Sequence, residues 1–251
     1  MKTLAKLLII IMLLPVFMAC NNHDQMDYPS NNYHIDIATV KNSDLSSQFS
    51  FLLDNNRLMK ITYTDLPLFI PKDGQRIIAN YSFLSVMLAD STLSNNVRLN
   101  NANTVLTKSI LKITPATQDS IGHDSITIKD MWIGNDFLNI EFAYLGNDKT
   151  HFINLVSDAS KVYTDGKIHL EFRHNANGDK PAYYYSGIVS FNLKSLQNGV
   201  TANVLNLLIH VNVPYQAAER LYNITYYFGP TVQNYYTPVF PTPLQEIRNY
   251  H

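Results

Sequence analysis

The sequence predicts an all-β protein built from two β-domains in series. Short runs of alternating apolar and polar residues recur from Tyr33 to Phe228, which is the period of half-buried strands. Turn residues separate these runs at Asp54-Asn55-Asn56-Arg57, Asp73-Gly74, Gly146-Asn147-Asp148 and Asn175-Ala176-Asn177-Gly178-Asp179. No long stretch carries helical periodicity. The 16 tyrosines and 12 phenylalanines, set among many Asn, Thr and Ser, favour strands and turns over helices.

In the first half, Tyr33, Ile35 and Ile37 share one face of a strand. Phe49 to Leu53 and Leu58 to Tyr63 form a hairpin across the Asp54–Arg57 turn. Ile77, Ala79, Tyr81 and Phe83 alternate next, and Leu84, Val86 and Leu88 continue in the opposite phase. Such a flip predicts a bulge or strong bend, the device small barrels use at corners. Val105 to Ile113 is expected to supply one more strand. About five strands in this length suit a small barrel such as the OB-fold over 33–115. The polar stretch from Thr114 to Asp124, with Pro115, is expected to be a protease-sensitive boundary.

The second half, 124–228, reads as an antiparallel β-sandwich. Leu138, Ile140, Phe142 and Tyr144 share a side, Ile153 and Leu155 follow on the return strand, and Ile168, Leu170 and Phe172 point inward on the next. Ile188 to Leu193, Val204 to Val213 and Tyr222 to Phe228 supply three further strands. A short helix is expected over Gln216 to Leu221. Pro230, Pro238, Pro241 and Pro243 then keep the tail, 229–251, out of a central strand.

The N-terminus has its own logic. Lys2 and Lys6 precede an apolar run from Leu7 to Ala19, too short for the roughly 20 residues of a spanning helix. This is the pattern of a secretory signal over 1–19. The run ends at Phe17-Met18-Ala19-Cys20, which resembles a bacterial lipobox, and Cys20 is the sole cysteine. Cleavage before Cys20 and acylation of its thiol, palmitate included, would anchor the protein, since each buried methylene contributes about 0.8 kcal/mol. Residues 20–32 read as a flexible tether. Asn21 is not the Asp of an inner-membrane retention signal, so a lipid-anchored protein of the outer membrane, on its periplasmic or cell-surface face, is expected.

Without residues 1–19, Lys2 and Lys6 are lost, leaving 17 basic against 20 acidic residues, a formal charge of −3. That balance argues against nucleic acid as a partner. No nucleophile elbow, zincin motif or phosphate loop is present, so no cofactor is expected. His151, His169 and Glu171 form the one candidate metal set, because His169 and Glu171 share a strand face and His151 could approach from a neighbouring strand. The alternative is a solvated strand face. Asp130, Asp136 and Glu141 are candidate carboxylates for glycoside hydrolysis, which needs two such groups across a cleft. Trp132 is expected in the sandwich core. Tyr183, Tyr184 and Tyr185 follow Pro181 and, with Tyr235 and Tyr236 of the tail, are the candidate interaction patch.

Three stretches carry a family likeness: Met131-Trp132-Ile133 to Phe137-Leu138-Asn139-Ile140-Glu141-Phe142, His151-Phe152-Ile153-Asn154-Leu155-Val156, and Leu170-Glu171-Phe172-Arg173-His174-Asn175. With Asp73-Gly74-Gln75-Arg76-Ile77 they resemble the NigD-like lipoprotein family across nearly the whole mature chain. The resemblance implies an N-terminal OB-like barrel and a C-terminal β-sandwich. Its motifs are strand and turn signatures that carry no chemistry, and the family has no established activity. It is named for a protein encoded beside a bacteriocin gene, which implies an immunity-type role as one expectation. The reading that follows is a non-enzymatic binding or accessory module that contacts an envelope protein or a glycan. A metal-assisted hydrolase is the rival.

Overall fold

The structure, a computed structural model, describes residues 33–42, 49–84 and 95–228. Cys20, the tether, Val86, Leu88, Tyr235 and Tyr236 lie outside the described residues. Among those described, no helix is long and apolar enough to cross a membrane.

The first five strands are β1 (Tyr33–Asn42), β2 (Phe49–Leu53), β3 (Leu58–Thr64), β4 (Arg76–Phe83) and β5 (Asn96–Thr104). They close into a barrel in the order β1-β2-β3-β5-β4. Closure depends on the length of β1. Its N-terminal part pairs with β4, from Tyr33↔Ser82 to Thr39↔Arg76, and its C-terminal part pairs with β2, from Ala38↔Leu53 to Asn42↔Phe49. Ala38, Val40, Phe51, Met59, Ile77, Ala79, Tyr81, Val97 and Leu99 fill the interior. The face of β1 that carries Tyr33, Ile35 and Ile37 is therefore the outer one, although it reads in sequence as the buried one. Strand β5 is missing from the sequence reading because it is mostly polar. Val97 and Leu99 are buried in the interior and Ala102 packs against it past a bulge, while Asn100 donates outward to Asn80 and Ser82.

The segment expected to close the barrel, Val105 to Ile113, belongs to the sandwich. It splits into β6 (Leu106–Ser109) and β7 (Leu111–Ile113), which join opposite sheets. The others are β8 (Thr127–Gly134), β9 (Phe137–Gly146), β10 (Phe152–Asp158), β11 (Ile168–Asn175), β12 (Tyr183–Asn192), β13 (Val204–Val211) and β14 (Arg220–Tyr227). One sheet runs β14-β13-β11-β10-β7 and the other β6-β12-β9-β8. The pairings β7/β10, β11/β13 and β6/β12 are parallel, so the sandwich is mixed rather than wholly antiparallel. Leu138, Ile140, Phe142, Leu155, Leu170, Phe172, Val189, Phe191, Leu207 and Ile209 make its core.

The chain thus crosses from barrel to sandwich at Val105, ahead of the expected boundary at Thr114 to Asp124. That stretch carries a short helix, α1 (Gln118–Ile121), and is tied to β11. Asn175 donates to the Ser120 carbonyl, and the Asp124 amide donates to the His174 carbonyl. The helix expected over Gln216 to Leu221 is absent; a turn leads into β14 at Arg220.

Candidate functional site

The barrel rests on the outer face of sheet β6-β12-β9-β8. The face is read from register: Trp132 pairs with Asn139, and Asn139 pairs with Ser190, all three on the side away from the core. Asp54, in the turn after β2, and Arg76, at the start of β4, reach this face from the barrel. Arg76 is 1 % exposed and forms a two-pronged ion pair with Asp54, Nη1 to Oδ1 at 2.6 Å and Nη2 to Oδ2 at 2.9 Å. It also donates to Thr39 Oγ1 at 3.0 Å and to Asn139 Oδ1 at 2.9 Å. Its guanidinium lies 4.7 Å from the Phe137 ring centroid. Asn139 returns a hydrogen bond to Asp54 Oδ2 at 2.9 Å, Trp132 Nε1 donates to the same oxygen at 3.1 Å, and Ser190 donates to Asn139 at 2.6 Å. Among the described residues, no buried side-chain polar atom lacks a partner. Gly134 belongs to the same junction, because a Cβ there would stand 2.2 Å from the Asp54 Cβ. Trp132 is therefore an interface residue. The sandwich-core position expected for it falls to its neighbour Met131.

From this vertex the two bodies diverge and leave a cleft of about 640 Å³. Ile35, Ile37 and Ile78 form the barrel wall; Trp132, Glu141 and Ile188 form the sheet wall. Asp36, also in the lining, accepts a hydrogen bond from Tyr81 at 2.8 Å, and burial pushes the Tyr81 phenol well above its ordinary value. Glu141 is 3.4 Å from Lys129. Large apolar side chains are exposed on the same strands that supply these walls. Tyr33 is 60 % exposed, Ile35 59 %, Leu145 42 % and Tyr184 73 %. Tyr184 and Leu145 are register partners, on the same sheet face as Ile188 and Glu141.

The tyrosine trio starts strand β12 instead of preceding it. Alternation divides the trio, with Tyr184 on the cleft side and Tyr183 and Tyr185 on the other. Tyr185 stacks on Tyr144 with centroids 5.7 Å apart and donates to the Asn147 carbonyl at 3.0 Å. The three rings are surface groups but do not form one patch.

The candidate metal set is dispersed. His151 sits at the inner edge of the sandwich beside His174, their ring nitrogens 2.8 Å apart. His169 and Glu171 are on the outer face of the other sheet. His169 contacts His210 at 2.9 Å and Asp165 at 3.0 Å, while Glu171 binds Lys161 and Arg173, each at 2.6 Å. Burial raises the affinity of Glu171 for a proton, but the two cations outweigh burial and hold it below the usual carboxylate range. No group of three metal-ligating residues converges among the described residues. The candidate hydrolytic carboxylates fare no better. Asp130 and Glu141 stand side by side on neighbouring strands, not across a cleft. Asp136 lines a separate, polar hollow with Lys194 and Phe228 and accepts from Tyr226 at 2.7 Å.

Sequence reasoning missed the Asp54–Arg76–Asn139 junction. Asp54 reads as an ordinary turn acid, Arg76 as the polar start of a strand and Asn139 as a solvated alternate position. The one available signal was that Asn139 and Arg76 lie within the stretches that carry the family likeness.

A family model described as the NigD-like N-terminal OB domain matches residues 37–105, and one described as the NigD-like C-terminal beta sandwich domain matches residues 109–226. Among solved structures, a protein of unknown function from Bacteroides vulgatus is 30 % identical, with 84 % of this chain and 96 % of that one covered at a TM-score of 0.67. A toxin-related protein from Parabacteroides distasonis is 28 % identical, covering 78 % and 94 % at 0.66. A NigD-like immunity protein from Bacteroides caccae, 19 % identical over 78 % and 93 % at 0.57, shares the fold. No curated protein matches the sequence. With both halves matched in order and a relative at this identity along nearly its whole length, the chain belongs to the NigD-like family.

Proposed function

We propose that this protein is a non-catalytic, lipid-anchored outer-membrane protein that holds a segment of another envelope protein in the cleft between barrel and sandwich. The observation behind this reading is the cleft itself, where Ile35, Ile37 and Ile78 of the barrel face Trp132 and Ile188 of the sheet, with Ile35 left 59 % exposed. Exposed apolar surface gathered in a concave site marks an interaction surface. The dispersal of His151, His169 and Glu171 removes the residues on which a metal-assisted hydrolase would rest. An immunity-type role is one form this binding could take, since an immunity protein also meets a protein partner. A glycan is the competing ligand.

Site-directed photo-crosslinking tests the reading. A photoreactive residue at Tyr184 or Ile35, in cells, should trap a defined outer-membrane protein, whereas one at Tyr227 on the far edge strand should not. Cross-links to glycan, or equal protein yields from all three positions, would refute it. Anchoring is tested separately: Cys20→Ala should abolish incorporation of labelled fatty acid, and label retained by that variant would remove the lipid anchor from the reading.

A further inference from the structure

The contact between His151 and His174 has a proton count that two neutral imidazoles cannot satisfy. His174 Nδ1 lies 3.0 Å from the Ser125 carbonyl oxygen, which can only accept, so that nitrogen carries a proton. Burial pushes the His174 imidazole below its ordinary value, so the ring is neutral and its Nε2 is a lone pair. That lone pair faces His151 Nδ1 at 2.8 Å, so His151 Nδ1 must donate. The other nitrogen of His151 faces Asp179 Oδ2 at 3.1 Å. Asp179 also accepts from the amides of Asn147 at 2.5 Å and Lys180 at 2.9 Å. The Asn147 amide above all, with His151, holds the carboxyl well below the usual carboxylate range. It is ionised and has no proton to give. Both nitrogens of His151 therefore donate.

We infer that His151 is held as an imidazolium between His174 and Asp179, and that this proton locks the two turns beside the Tyr183–Tyr185 segment. The His151 and Asp179 side chains are 2 % and 1 % exposed, so the pair is shielded from water. Tyr144 stacks on the His151 ring at 4.3 Å, a favourable place for a cation. The other charged or titratable groups around the pair fit the same assignment. Asp124, from the segment before β8, favours positive charge near His174. Lys149 is turned away and donates to the carbonyls of Asn177 and Gly178. Asp148 offers its backbone amide to Asp179, and Tyr185 gives its hydroxyl to Asn147. Asp179 thus clamps the 146–151 turn to the 175–182 turn, and His151 supplies the charge that holds it.

The clamp depends on that charge. Loss leaves either two facing lone pairs or Asp179 without its charged donor. The clamp would then loosen and Tyr185 would lose its register with Asn147. The consequence for partner capture rests on the cleft reading above; the proton itself does not.

The test is nitrogen-detected NMR of the histidine side chains in the full chain in detergent micelles, at about pH 6, just below the ordinary imidazole value. At about pH 6 His151 should show two protonated nitrogens and His174 one, at Nδ1. His151→Gln, with one donor and no charge, should speed exchange of the Asn147 amide at least about tenfold, which is about 1.4 kcal/mol of lost protection. A neutral His151 at about pH 6, or Asn147 protection unchanged in His151→Gln, overturns the proposal. If proton and clamp behave as stated while cross-linking from Tyr184 is indifferent to His151→Gln, the clamp stands and its link to the cleft is removed.

Discussion

Asp54→Ala is the sharpest test of the junction between the two bodies. The substitution strands the Arg76 guanidinium, 1 % exposed, with Thr39 and Asn139 as its remaining close acceptors. Breaking a buried ion pair from one side costs about 3–5 kcal/mol. Trp132 Nε1 and Asn139 Nδ2 lose their acceptor in the same step. Each orphaned donor is worth about 1–3 kcal/mol, and the terms overlap because the groups share one carboxylate. A loss of about 4–6 kcal/mol is expected, out of the roughly 5–15 kcal/mol that hold a typical protein folded. For a body of this size that lowers Tm by about 10–20 °C. Calorimetry of the mature chain reads this directly, and should also show the single transition broaden or split as barrel and sandwich uncouple. Arg76→Met added to Asp54→Leu should recover most of the ion-pair loss, since two apolar side chains replace a buried pair at little cost. It should not recover the share due to Trp132 and Asn139. Single variants that lose under about 1 kcal/mol, or a double variant that loses the sum of the singles, would refute the claim that this network joins the two bodies.

The remaining predictions draw on other contacts. Gly134→Ala forces a methyl against the Asp54 side chain and should cost at least about 1–3 kcal/mol by denaturant titration; a neutral result would show that the turn has slack. Glu171, held below its ordinary value by Lys161 and Arg173, contributes stability that is present above the unfolded value and lost as pH falls. Glu171→Gln should therefore destabilise at neutral pH and flatten the acid limb of the stability curve, and an unchanged acid limb would contradict the pairing. Limited proteolysis should spare Thr114 to Asp124, because α1 and the Asp124 amide are bound to β11; early cleavage there would show that these bonds open readily.

The strands with clean alternation were legible in the sequence. Leu170 and Phe172 point inward and His169, Glu171 and Arg173 outward, as period two requires. Where the same rule failed, a second surface intervened. Tyr33, Ile35 and Ile37 look like an inward face, yet the barrel interior takes Ala38 and Val40 instead, because a closed small barrel has room for small residues on that side of β1. Strand β5 was invisible because a bulge between Leu99 and Asn101 breaks its alternation and its remaining inward apolar residue is the small Ala102. The parallel pairings of β6 and β7 were invisible because their partners β12 and β10 lie far along the chain. The junction was illegible for a related reason. Arg76 and Asn139 are 63 positions apart, and nothing local shows that an outward Asn will be roofed over.

That roofing inverts the usual surface pattern. On an isolated sandwich the outward positions of β9 and β12 would be solvated, and Asn139 and Ser190 suit that setting. The barrel covers these two completely, both at 0 % exposure, so polar side chains lie buried under it beside Trp132 and Phe137. Their hydrogen-bonding needs are met by Arg76 and Asp54, which are equally polar and come from the covering body. Farther out on the same face comes Ile188, opposed across the cleft by Ile37 and Ile35, and beyond it the exposed Leu145 and Tyr184. Stability alone would favour the opposite arrangement, with apolar residues under the barrel and polar ones in water. Polar groups under cover and apolar groups in the open are best explained if the vertex sets a fixed angle between the two bodies and the open arms are covered by something else. The angle and the apolar arms then belong to one design. A junction crossed by three directional hydrogen bonds, Arg76 to Asn139, Asn139 to Asp54 and Trp132 to Asp54, with Arg76 and Asp54 fixed by their own ion pair, keeps its geometry more strictly than an oily contact would, and so keeps the cleft open for its partner.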